Sequence, residues 1–276
     1  MVFDAHSQGI GAGEMTEDDK QSPETGLTTQ DNAGAGSDDR TALQRIAVLS
    51  VLAGLCPVIP IPFVDDLALR FIRKRAIMAE LDKGQVRPGR AQMDVYLQGP
   101  TQLMGCLTAV FIYPLKKIFK KIFIFFAIKD CVDAASQTFH ELWMIRHAVN
   151  TAQLSQADLT VEPDALMPLR RAVEATSQQI DTSPVNQVLK KGFSSSKALL
   201  REAGRTLGNT IRTSGGTRAN PEAVERAVDG VKPAEVGKMD ELAGQLGEQM
   251  WAERGYLTLV EQTFDQNWES KGSKTT

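Results

Sequence analysis

Residues 46–66 read IAVLSVLAGLCPVIPIPFVDD, and Ile46 to Val64 is a run of 19 residues without a charge that contains Pro57, Pro60 and Pro62. Proline has no N–H to give a helix and biases the residue before it toward extended geometry. The run therefore predicts a helix that ends near Leu55, then an apolar, extended turn, CPVIPIPF. Asp65 or Asp66 caps a second helix, DDLALRFIRKRAIMAELDKG, where the helix dipole favours anions. Gly84 suits its C-terminal stop. The uninterrupted helical part, Ile46 to Cys56, measures about 16 Å at 1.5 Å per residue, against about 30 Å of bilayer hydrocarbon. A simple membrane span is thereby disfavoured. Two arrangements remain: a helical hairpin buried in a bundle, or an apolar turn that dips into one leaflet.

Upstream, residues 1–40 hold nine acids against Lys20 and Arg40. With almost no large apolar residue among them, they read as a disordered acidic tail. Residues 41–150 carry a balance of +6 and residues 151–276 one of −2, so the net charge of −3 conceals a basic middle. Hydrophobic content of 42% and charged content of 24% are those of a globular protein. Cys56, Cys106 and Cys131 lie in apolar surroundings without metal-ligand spacing, which argues against a disulfide scaffold or a zinc site. The N-terminus shows neither the basic and apolar regions of a signal peptide nor an Arg-rich address, so a cytoplasmic protein is expected.

Downstream, residues 85–102 read as a loop with a short helix. Residues 103–152 read as two helices, or one kinked at Pro114. Residues 153–168, with Pro163 and Pro168, read as a linker. Leu169, Val173 and Ile180 mark one short helix, and Val185, Leu189, Phe193, Leu200, Leu207 and Ile211 a longer one. A near-heptad stripe from Val236 through Met239, Ala243, Leu246, Met250, Leu257, Val260 and Phe264 marks a last helix, interrupted only at Glu253. No stretch alternates over several strand lengths. The expected fold is all-α: a disordered tail at 1–40, an apolar, basic helical domain at 41–152, a linker at 153–168, and a polar amphipathic helical domain at 169–276.

Function is carried by surface character rather than by a reaction. Arg70, Arg73, Lys74 and Arg75 follow the apolar turn within two helical turns, and Lys116, Lys117, Lys120 and Lys121 repeat the design beside Ile118, Phe119, Ile122 and Phe123. Like charges at i,i+4 repel in water, and basic faces beside bulky apolar ones are typical of interfacial helices. These eight cations are the expected lipid-head-group contacts. Pro57, Val58, Ile59, Pro60, Ile61, Pro62 and Phe63 form the expected membrane-inserting turn. The reading is a non-enzymatic peripheral adaptor on the anionic inner face of a membrane, with a protein partner for the C-terminal helices. Its rival is a helical scaffold whose apolar segments bury one another. No cofactor, metal or nucleic-acid partner is expected, and self-association is left open. The one constellation suited to chemistry is the polar stripe of Asp133, Gln137, His140 and Glu141, with His147 two turns on. His140 and His147 are about 10 Å apart along a helix, too far to share an ion, so a polar helix side is the simpler reading. Ser194–Ser196 lack a nucleophile elbow.

VLSVLAGLCPVIPIPFVDDLALRFIRKRAIMAELDKG also resembles a bacterial domain of unknown function found fused to, or encoded beside, Era-like GTPases. Its pattern is an apolar helix, a Pro-x-Pro turn (here Pro60 and Pro62), an acidic cap (Asp65 or Asp66), a helix with a basic or polar face, and a terminal glycine (Gly84). The likeness spans residues 45–150. It implies a helical, membrane-associated accessory domain without assigned catalytic residues. No GxxxxGK[ST] occurs in this chain, so a GTPase would have to be a separate protein.

Overall fold

The computed structural model describes residues 31–59, 64–98, 120–217, 220–230 and 239–272. Among them there are ten α-helices and no strand. The all-α expectation holds.

Helix α1 spans Asp31–Leu55 and passes into a 3-10 turn at Cys56–Val58, with Pro57 at a first-turn position where its missing N–H leaves nothing unsatisfied. The helix begins earlier than the sequence suggests, because residues 31–40 of the expected tail are helical. The Pro-rich turn is visible as far as Ile59, whose N–H donates to the Cys56 carbonyl at 3.0 Å. Pro60 to Phe63 lie outside the described residues. Helix α2, Val64–Lys83, holds Asp65 and Asp66 in its first turn, where the dipole favours them, but it starts one residue before Asp65, so neither aspartate is its capping residue. At its other end the left-handed residue is Gln85, at φ 59°, not Gly84. The reason for Gly84 is steric: a Cβ there would lie 2.0 Å from Cγ1 of Val149.

Helix α3 (Arg90–Leu97) is followed by α4, a 31-residue helix from Lys120 to Asn150. Leu103 to Phe119, including Pro114, lie outside the described residues. After α4, a 3-10 turn at Gln156–Asp158 leads to α5 (Met167–Gln179), where Pro168 sits in the first turn. The longer amphipathic helix expected over 185–211 is two helices, α6 (Ser183–Ser195) and α7 (Lys197–Thr213). Ser196, at φ −110° and ψ 26°, separates them in a run of serines, residues that favour helix ends over interiors. Helix α8 is Pro221–Gly230. The last stripe is likewise divided at Glu253 into α9 (Met239–Ala252) and α10 (Arg254–Gly272).

Helix α1 is packed most extensively against α4 and α9, and α2 against α4 and α8. Leu43, Ile46, Val51 and Leu55 of α1 share one continuous hydrophobic core with Phe139 and Leu142 of α4, Phe193 of α6 and Leu246 of α9. Buried residues on both sides of the segment at 153–168 belong to this one core. Leu246, Met250, Leu257, Val260 and Phe264 are buried in it and Ala243 is buried beside them, so this part of the near-heptad stripe faces inward; Val236 and the side chain of Met239 lie outside the described residues.

Candidate functional site

The expected head-group contacts divide sharply in the structure. Lys116 and Lys117 lie outside the described residues, as do the side chains of Lys120 and Lys121. The four cations of α2 all have partners inside the protein. Arg73 donates from Nε and Nη2 to the two carboxylate oxygens of Glu141, both at 3.0 Å. Glu141 is buried and also accepts from the Tyr96 hydroxyl at 3.2 Å. The Glu141 charge raises the affinity of Arg73 for its proton, and burial pushes the Tyr96 hydroxyl well above its usual range. Lys74 pairs with Glu225 of α8 at 2.8 Å, and Arg75 donates to the carbonyls of Val228 and Asp229 at 2.9 Å. Arg70 lies 3.7 Å from Asp94. What reads in sequence as a basic face is, for Arg73 to Arg75, the seam that joins α2 to α4 and α8.

The apolar turn is covered unevenly. Ile59 is buried, whereas Pro57 and Val58 are half-buried at the end of α1, Val58 packed against the core. Val58 is seated against α7 at Gly204, where a Cβ would lie 3.2 Å from Cβ and Cγ2 of Val58. The stretch Asp38–Val58 is long and apolar enough to cross a membrane, yet most of it is buried by the protein's own side chains.

The polar stripe of α4 does not assemble a reactive centre. Asp133 and Gln137 are exposed, and Asp133 pairs with Lys129. His140 and Glu141, one to two turns on, are buried because α10 and α2 cover that end of the face. The His140 Nδ1–H donates to the Ser136 carbonyl at 2.7 Å, which leaves Nε2 to accept from the Tyr256 hydroxyl at 2.7 Å. Burial lowers the His140 pKa to about 4, so the ring is neutral at pH 7. His147 meets Asp265 at 2.8 Å through Nε2, and Gln153 donates to the same carboxylate oxygen at 2.7 Å. Arg146 beside it holds Asp39 of α1 at 2.6 Å and lies over the Trp143 ring at 5.3 Å. These polar links tie α4 to α1 and α10. Their partners are more than 100 residues apart in sequence, so no local signal could have announced them.

Among the described residues, no group of three or more His, Cys, Asp or Glu side chains is arranged to hold a metal ion. Cys56 and Cys131 are buried free thiols, both held protonated by burial, with Cys131 pushed up to about 12. Ser195 directs its hydroxyl to the Gly192 carbonyl of its own helix. In comparisons with known proteins, the chain matches no family model, no curated protein and no solved structure.

Proposed function

We propose that this chain is a non-enzymatic helical scaffold that works by presenting its surface to a protein partner. The observation that carries the reading is the setting of α1, whose apolar run is walled in by α4 and α9. The nearby cations Arg73 and Lys74 are neutralised by carboxylates of the same chain, so neither calls for a lipid head group. A partner of the kind implied by the resemblance is a separate GTPase. Prepared without detergent, the protein is expected to stay in the high-speed supernatant with its helical circular dichroism intact. A requirement for detergent would overturn the reading, and stoichiometric metal found by elemental analysis would overturn its non-enzymatic part.

A second reading, peripheral docking on the anionic inner face of a membrane, is favoured by the partial exposure of the half-buried Pro57 and Val58 at the end of α1. Docking of this kind would leave the bundle folded and bring only the tip of the turn to the lipid. The two readings are compatible, since an adaptor can hold a partner at a membrane surface.

A further inference from the structure

Helix α7 carries an amphipathic pattern whose polar side is cationic. Its inward face is Leu200, Ala203, Gly204, Leu207, Gly208 and Ile211, all buried. At 3.6 residues per turn, Lys197, Arg201, Arg205 and Arg212 fall within an arc of about 80° on one flank of the helix, bordering the buried face, spread over about 22 Å of helix. All four are exposed, and none is ion-paired among the described residues; Arg212 makes only a 3.5 Å contact with the Asn209 amide oxygen. The single acid of α7, Glu202, lies outside that arc. This is the reverse of α2, whose cations are satisfied internally. Two more exposed cations without an ion pair among the described residues, Lys190 and Lys191, stand near the end of α6.

The arc adjoins the apolar turn. Gly204 lies at the edge of the buried face just outside the arc and Gly208 within the arc's near edge, and Gly204 is where Val58 is seated. A row of cations without ion pairs among the described residues therefore runs beside a half-buried Pro–Val tip. We propose that the Lys197–Arg212 face of α7, with Pro57 and Val58, is a docking surface for anionic lipid. The proposal rests on the second reading above and gives it a site that the sequence reading did not single out.

Charge complementarity names the occupant as anionic, because like charges at i,i+4 repel until an anion sits against them. The apolar tip decides between anionic occupants. A membrane offers head groups to the row and hydrocarbon to Pro57 and Val58. A nucleic acid would leave the tip unused, and the outward face of α7 has no aromatic side chain for base stacking.

The test is co-sedimentation of the full chain with phosphatidylcholine vesicles and with phosphatidylcholine–phosphatidylserine vesicles, at low and high salt. Binding to the anionic vesicles alone, weakened by salt, is the expected result. Each cation removed from an anionic surface should lower partitioning about fivefold. Arg201→Glu with Arg205→Glu, both solvent-facing, should therefore weaken binding by about 25-fold or more, with helicity unchanged. The control is Arg87→Glu with Arg171→Glu, the same charge change on exposed residues away from the packing partners of α7. Equal loss in the control would reduce the effect to net charge and overturn the site. Wild-type binding by the α7 variant would also overturn the site while the membrane reading stands. Failure of the wild-type chain to bind any vesicle would overturn both. Salt-sensitive binding to a single-stranded RNA homopolymer in place of vesicles would assign the row to a different polyanion and overturn the lipid assignment.

Discussion

At the scale of single residues, the buried charges of α4 set the stability. Removing the carboxylate by Glu141→Ala leaves the Arg73 guanidinium without its partner and the Tyr96 hydroxyl without an acceptor. Breaking one side of such a pair typically costs about 3–5 kcal/mol. Urea denaturation should show a drop of that size, and a drop within 0–1 kcal/mol, as for an exposed pair, would mean that the network is incidental. His140 makes stability depend on pH. In the unfolded chain its ring takes up a proton near 6.5, whereas the folded protein resists until about 4. Between those values the unfolded state holds the extra proton, so stability falls as the pH is lowered through the window, by about 3 kcal/mol in all. His140→Gln should remove most of that dependence. An unchanged slope would assign it to other groups.

At the scale of elements, two glycines in helices predict opposite signs. A Cβ on Gly54 of α1 would lie 2.8 Å from the Cys131 carbonyl and 3.0 Å from the side chains of Ala135 and Phe193, so α1 and α4 meet there at backbone distance with the Phe193 ring of α6 against them. Gly54→Ala gains about 1 kcal/mol of helix propensity but must force those contacts apart, and overpacking typically costs about 1–3 kcal/mol. It should destabilise. Gly244 of α9 has nothing within 4 Å of a Cβ, so Gly244→Ala should raise stability by up to about 1 kcal/mol. Thermal melts of the two variants should move apart, and a common direction would mean that crossing geometry does not decide the sign.

The same scale shows what was legible in the sequence. Periodicity located the apolar faces of α5, α6, α7 and α9, because a buried stripe recurs at the helical repeat whatever covers it. The acidic start of α2 was equally visible, because an acid at a helix N-terminus is a local device. The break at Ser196 was not, since one face continues through it, whereas Glu253 showed as a gap in the last stripe without revealing that the helix ends there. The role of α2's cations was hidden for another reason. Arg73 and Lys74 answer to Glu141 and Glu225, which are 68 and 151 residues away, and only the tertiary fold separates a paired cation from a solvated one. Composition likewise suggested a boundary at 153–168 but carried no information on which helices share a core.

At the scale of the whole molecule, the shared core predicts that the apolar half does not stand alone. Residues 41–152 without the rest would leave α1 uncovered where α6 and α9 now pack, and would lose Phe193 and Leu246 from the core. A fragment ending at residue 152 is expected to lack a cooperative urea transition, while the full chain shows one. A cooperative transition in the fragment would restore two independent domains.

That arrangement has a consequence for how the protein is made. Helix α1 leaves the ribosome first among the helices described, and α9, one of its two main packing partners, nearly last. About 190 residues separate the two, roughly 10–40 s of synthesis at 5–20 residues per second. Once α4 has emerged it can cover one side of this apolar helix, which has the outward look of a membrane segment, but the side that α9 closes stays open until the end of synthesis. The nascent chain's fate in the cell then turns on a race between the holdases and targeting factors that greet it at the exit tunnel and the arrival of its own C-terminal half.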